Sequence, residues 1–320
     1  MSNNYSLFED FPHQPLATNI LLASLKVNHI APTYLFSGPK GVGQKEIAMR
    51  FFEGIINKEE NSIKTRRQLE NMQHPDLLVI EPTYLYQGKI ITQSIAKSEN
   101  LSSHLSPQIR LDQIQEIKKF STKKPIESTI SMVLLEDVHL LNESASNALL
   151  KTIEEPTNAI FILISSMPDK LINTIKSRCQ RIAFKPFSSE ILKNTLDEYS
   201  EKLDFDSKSI QEEIIALSQG SPELLIKNIN LIKNIPKEIL SKSVDLPKEQ
   251  LKALMLAKNI TDELNSEQQI WLIDWMQHFY WRKQLDINKI KRLEQLKTHL
   301  RSSINQKIAW EIALIDIIDN

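Results

Sequence analysis

Over the first 186 residues, short apolar runs alternate with stretches of helical period; after Pro186 the runs stop. TYLF (33–36), LLVIEP (77–82), MVLLED (132–137), IFILIS (160–165) and RIAF (181–184) are continuous rather than alternating. That is the signature of strands covered on both faces, as in a parallel sheet. Helical patterns lie between them. QPLATNILLASLKV (14–27) carries an apolar stripe at Leu16, Ile20, Leu21 and Leu25, KEIAMRFFEGII ends near Asn57, and LDQIQEIKKF covers 111–120. In NESASNALLKTIEEP, Asn142 is placed to cap a helix, Ala145, Ala148, Leu149 and Ile153 form its buried face, and Pro156 stops it. Strands alternating with helices predict an α/β layered domain with a mostly parallel sheet.

Beyond Pro186 the pattern is helical throughout. Three helices are expected from 188 to about 234, punctuated by Gly220-Ser221-Pro222, and more from about 237 onward. In EQQIWLIDWMQHFYWRK (267–283), Trp271, Trp275 and Phe279 share one face, which predicts the core of a helical bundle. The expected organisation is an α/β core over 1–186, a small helical unit over 187–235 and an all-α unit over 236–320.

Composition narrows the function classes. The chain has 320 residues and a net charge of -1, so no whole-molecule field draws it onto nucleic acid or an acidic membrane. One cysteine, Cys179, leaves no internal disulfide and no multi-cysteine zinc site. The N-terminal MSNNYSLFEDFPHQ lacks a basic and then apolar leader, and no apolar run reaches the roughly 20 residues of a membrane span. A cytoplasmic protein is expected. There are only 6 glycines, yet Gly38, Gly41 and Gly43 fall together in GPKGVGQKEIA. That loop follows a predicted strand and opens a predicted helix, the setting of a phosphate-binding loop, G-x-x-x-x-G-K-[ST]. The spacing is kept, but Gln44 replaces the lysine and Lys45 replaces the Ser or Thr. Gln44 donates hydrogen bonds without charge. A cation lost beside the phosphates is worth on the order of several kcal/mol at an effective dielectric near 20. Lys45 is turned about 100° along the helix from Gln44, and it brings a cation to the place of Mg²⁺.

APTYLFSGPKGVGQ, HPDLLVIEP, NALLKTIEEP and IKSRCQRIAF, in this order, resemble the AAA+ subunits of bacterial DNA polymerase III clamp loaders, the delta-prime branch above all. The resemblance covers roughly residues 8 to 225. It implies an AAA+ core over 1–186, a helical lid over 187–235 and a helical collar over 236–320 that assembles subunits into a ring. It also implies an Asp-Glu pair for Mg²⁺ and water, where this chain has Glu136 and Asp137, the lengths exchanged. Misplacing each carboxylate by about one methylene damages such a site. The lid's arginine is absent from GSPELLIK, which has Glu223 and Leu224 there. The nucleotide site is therefore expected to be degenerate and not to hydrolyse ATP, with weak nucleotide binding without turnover as the alternative because the glycine cradle survives; the cysteine-free stretch before His74 is expected to hold no zinc.

What the resemblance implies to be kept is Arg178, flanked by Ser177 and Cys179, as an arginine finger for ATP on a neighbouring subunit. The implied partners are clamp-loader ATPase subunits of gamma/tau type, the delta subunit, the sliding clamp indirectly, and primer-template DNA. Lys118, Lys119, Lys123 and Lys124 form a basic cluster with two readings, a solvated surface or, by the resemblance, a contact to the DNA backbone. His139 is expected to be an ordinary loop residue, and Ser165 and Ser166 strand-end caps. The competing expectations are an active gamma/tau-like ATPase with Lys45 re-registered onto the phosphates, and a stand-alone DNA-binding module.

Overall fold

A computed structural model describes residues 6–56, 63–92, 95–96, 106–155, 157–200, 208–247, 249–283, 285–300 and 305–319. Two compact units divide the chain. The first is formed by 1–93 with 107–187, and the second is built on 188–320.

Five parallel strands form the sheet of the first unit: β1 (Thr33–Ser37), β2 (Leu77–Ile80), β5 (Ser131–Leu135), β6 (Ala159–Ser165) and β7 (Gln180–Ala183). Their order is β2-β5-β6-β1-β7. The predicted parallel α/β layer is borne out, and the reason for its continuous apolar runs is visible in the packing. Side chains alternate between two cores, Tyr34, Phe36, Met132, Leu134 and Ile162 entering one. Leu35, Val133, Leu135, Phe161 and Leu163 enter the other. Helices Pro15–Lys26 and Gln44–Ile56 cover the first face; Leu111–Ser121 and Glu143–Glu154 cover the second. Asn142 caps the last of these, its Oδ1 accepting from the Ala145 N–H at 2.8 Å. That helix ends before Pro156, which lies outside the described residues.

Three details depart from the sequence reading. Leu16, part of the apolar stripe, is exposed; Ala17, Thr18 and Leu21 are the buried residues of that helix. A short helix, Ile63–Glu70, lies where no element was expected. An antiparallel hairpin, β3 (Thr83–Tyr86) and β4 (Lys89–Thr92), turns on Gln87 and Gly88, both at positive φ.

Among its described residues the second unit has helices and no strand, as expected. Helices Ser189–Ser200, Lys208–Leu217 and Pro222–Lys233 come first; Lys237–Val244, Gln250–Glu263, Ser266–Lys283, Ile287–Leu300 and Gln306–Asp319 follow. Ser221 caps its helix by accepting the Leu224 N–H. Trp271 and Trp275 are buried and stacked, ring centroids 6.0 Å apart, as the bundle-core reading expects. The Trp271 indole donates to Asn228 Oδ1 at 3.0 Å, and Asn228 in turn donates to Ser218, so a polar chain ties three helices together inside the core.

Asp76 anchors the loop that leads into β5. Its buried carboxylate accepts from the N–H groups of Ile126, Glu127 and Ser128 and from the Ser128 hydroxyl, at 2.6–2.9 Å. Burial alone would raise its pKa, but the four hydrogen bonds win and hold it below the ordinary value. A depressed carboxyl stabilises the fold above its unfolded pKa and loses that contribution as pH falls through the folded value. Asp76→Ala is expected to lose about 2–4 kcal/mol in urea unfolding at pH 7. The gap to the unmodified chain should narrow in acid below the folded pKa.

Candidate functional site

The loop between β1 and helix Gln44–Ile56 has the backbone of a phosphate cradle. Gly41 and Gly43 sit at φ 72° and 95°, the left-handed region that glycine enters without strain. Gly38 is needed for a different reason: a Cβ there would stand 2.4 Å from the Phe184 carbonyl oxygen. Gln14, which the sequence reading did not single out, braces the loop. Its amide donates to the carbonyls of Val42 (3.2 Å) and Lys185 (2.8 Å) and accepts from the Lys185 N–H (3.1 Å).

Gln44 is buried and its side chain turns back into the loop. The amide nitrogen donates to the carbonyls of Gly38 (3.2 Å) and Pro39 (2.8 Å). It thus closes the loop on itself with neutral hydrogen bonds, and supplies no charge for a phosphate.

Lys45 does not enter the cradle. Its ammonium group is ion-paired to Glu136 and lies 3.5 Å from Glu81. Those carboxylates stand just beyond β5 and β2, and the Glu136 N–H donates to the Ile80 carbonyl at 2.9 Å, fastening the two strand ends together. Burial pushes the Glu136 carboxyl above its usual range; Lys45 opposes this and the like charge of Glu81 adds to it. Asp137, at φ 50°, is buried and paired with Lys40 of the loop at 2.6 Å. Both members of the acidic pair are therefore engaged by lysines, Asp137 by Lys40 of the glycine loop and Glu136 by Lys45 of the helix that follows it. Neither the partner Glu81 nor the Lys40–Asp137 pair is signalled by the motif.

These residues do not fit a bound Mg²⁺. The ion needs oxygen ligands at 2.0–2.1 Å, and here an ammonium group holds the carboxylates and no hydroxyl stands at position 45. Among the described residues no group of three or more His, Cys, Asp and Glu side chains is placed to hold a metal ion. The His74 ring accepts the Asp76 N–H at 3.2 Å; residues 57–62 of the stretch before it lie outside the described residues. Ser165 Oγ accepts the Met167 N–H at 3.2 Å and lies 3.4 Å from His139 Nδ1. Burial lowers the His139 pKa, with Asp137 opposing.

Arg178 lies away from the loop, between helix Asn173–Lys176 and β7. It is 43% exposed, pairs with Glu154 at 2.6 Å and donates to the Thr174 carbonyl at 3.0 Å. Ser177 donates to the same carbonyl and Cys179 to that of Ile175, so all three residues are knit onto the short helix.

Residues 13–188 match the family described as DNA polymerase III, delta subunit. Residues 189–317 match the family described as cyanobacterial DNA polymerase III delta prime, C-terminal domain. The chain is 27% identical over 191 residues to DNA polymerase III subunit delta' of Bacillus subtilis, covering 58% of this chain and 51% of that protein. It is 29% identical over 200 residues to subunit delta' of Pseudomonas aeruginosa, covering 60% and 54%. Against subunit tau of Bacillus subtilis it is 31% identical over 226 residues, covering 68% and 34%. The chain thus spans about half the length, or less, of the curated relatives it matches. A gamma subunit-related protein from Thermotoga maritima shares the fold, with a TM-score of 0.52 at 18% identity over 92% of this chain and 97% of that one.

Two outcomes test this geometry. Gly38→Ala should destabilise the chain by about 1–3 kcal/mol in urea unfolding, because backbone rather than a flexible side chain meets the new methyl. Burial pushes the Cys179 thiol up to about 12, so it should react with an alkylating thiol probe at neutral pH only after unfolding.

Proposed function

The chain belongs to the DNA polymerase III delta-subunit family, in its delta-prime form, and from that premise we propose that it serves a clamp loader without hydrolysing ATP itself. Its part in the cycle is to present Arg178 to ATP bound by a neighbouring gamma/tau-type subunit. The observation that carries this reading is the division of charge in the first unit. The carboxylates of the acidic pair are held by Lys45 and Lys40, while a guanidinium group stands at the surface.

The chemistry of a trans finger follows from arginine itself. Guanidinium stays charged and has five N–H donors in a planar fork, so contacts to Glu154 and Thr174 leave donors for a γ-phosphate. An exposed ion pair such as Arg178–Glu154 is worth only about 0.2–1 kcal/mol, so phosphate competes with it readily. Lys45 directed onto carboxylates gives no support to an active site in which it would bind phosphate.

In the same reading, 187–235 acts as the lid and 236–320 as the collar that joins the delta and ATPase subunits. Lys118, Lys119, Lys123 and Lys124, all exposed, would meet the phosphates of primer-template DNA inside the complex, without sequence preference and with strong salt dependence. No described helix is long and apolar enough to cross a membrane.

The test is Arg178→Ala in a loader reconstituted with its ATPase subunits and checked for intact assembly. A finger contributes about 10³–10⁵ at the interface it serves, so clamp- and DNA-stimulated hydrolysis should fall clearly. Arg178→Lys should fall with it, since the fork is lost. An unchanged rate removes the assignment.

A further inference from the structure

Lys45 stands where the motif places the hydroxyl that holds Mg²⁺, and its side chain reaches two acidic groups on the ends of neighbouring strands. We propose that the Lys45 ammonium group is a built-in substitute for that metal ion, a permanent cation that ties the loop helix to the ends of β2 and β5. The first unit then holds its nucleotide-site geometry with neither metal nor ATP. This substitution rests on the reading above that the site does not turn over ATP, and it identifies what took the metal's place.

Three observations converge on it. The ammonium group joins three separate elements: helix Gln44–Ile56, Glu81 beyond β2 and Glu136 beyond β5. The contact is partly screened from solvent, with Lys45 and Glu136 side chains 26% and 21% exposed. Charge and connectivity both need it. Without Lys45, the carboxylates of Glu81 and Glu136 face each other with only Lys40 adding positive field, and Glu136 is already disfavoured as an anion by burial. The Lys40–Asp137 pair makes a second tie between loop and β5, and Gln44 seals the cradle from inside. A metal ion would do the same bridging reversibly and only with nucleotide. A lysine does it once, on folding.

The experiment uses the full chain alone, with Mn²⁺ as the probe read by electron paramagnetic resonance. The unmodified chain should leave the free Mn²⁺ signal unchanged. Lys45→Thr, which restores the hydroxyl and frees both carboxylates, should bind Mn²⁺ about tenfold more tightly or better. Adding Glu136→Gln should abolish that gain. In parallel, Lys45→Met should lower the melting temperature, and Lys45→Met/Glu136→Gln should recover part of the loss, since the second change removes the stranded charge. Equal Mn²⁺ binding by the unmodified and Lys45→Thr chains overturns the proposal, as does binding indifferent to Glu136→Gln. An unmodified chain inert toward ATP, with Lys45→Met as stable as the original, sinks the metal substitute while leaving the non-hydrolysing reading in place.

Discussion

One ion pair, Lys45 with Glu136, organises the functional half of the first unit. It occupies the point where β2, β5 and the loop helix meet, and the other departures from an ATPase are arranged about it. At an effective dielectric near 20, two unit charges about 4 Å apart interact by about 4 kcal/mol before desolvation is set against it. Removing one partner from a partly screened pair is the costly event, because it strands the other with little solvent to compensate. With Lys45 committed to Glu136, the place a metal ion would take is filled by a side chain of the chain itself. Gln44 completes the closure from inside the loop, and Lys40 with Asp137 completes it from the mouth.

The glycines of the loop answer to constraints of packing and backbone that are independent of any bound phosphate. Gly38 is required by Phe184, and Gly41 and Gly43 by their backbone angles, whether or not a phosphate ever enters. Loop shape and loop chemistry are separable: the shape rests on the glycines, while Gln44 and Lys45 stand at the positions of the motif's lysine and hydroxyl. Arg178 is separable in the same sense. It is mounted on a different element, between a four-residue helix and β7, by contacts that do not pass through the glycine loop. On the proposed reading, a subunit that does not turn over ATP itself would still carry the group that a neighbour's site needs.

Much of the fold was legible in the chain, because continuous apolar runs have one economical explanation: strands buried on both faces. The five parallel strands follow from that pattern, and the helices of the described second unit follow from its end at Pro186. The hairpin at β3 and β4 had a signal too, since TYLY and KIIT flank a two-residue Gln-Gly turn, but its strands are short and half exposed. Helix Ile63–Glu70 has almost no apolar stripe to announce it, being IKTRRQLE. Leu16 lies at the uncovered edge of its stripe, and period alone does not say which edge the core will cover. At the site, local spacing disclosed the misplaced Gln44 and Lys45. It could not disclose their partners: Glu81 is 36 residues from Lys45, and Asp137 is 97 from Lys40. Long-range charge pairing is a property of the fold, not of the motif.

The central claim is that this pocket's charges are already satisfied from within. Titrating fluorescent ATP with Mg²⁺ into the isolated chain, while following phosphate release, tests it most directly. The account predicts no saturable binding at micromolar ATP and no release above background. Micromolar Mg²⁺-dependent binding with turnover lost in Lys45→Ala would contradict it.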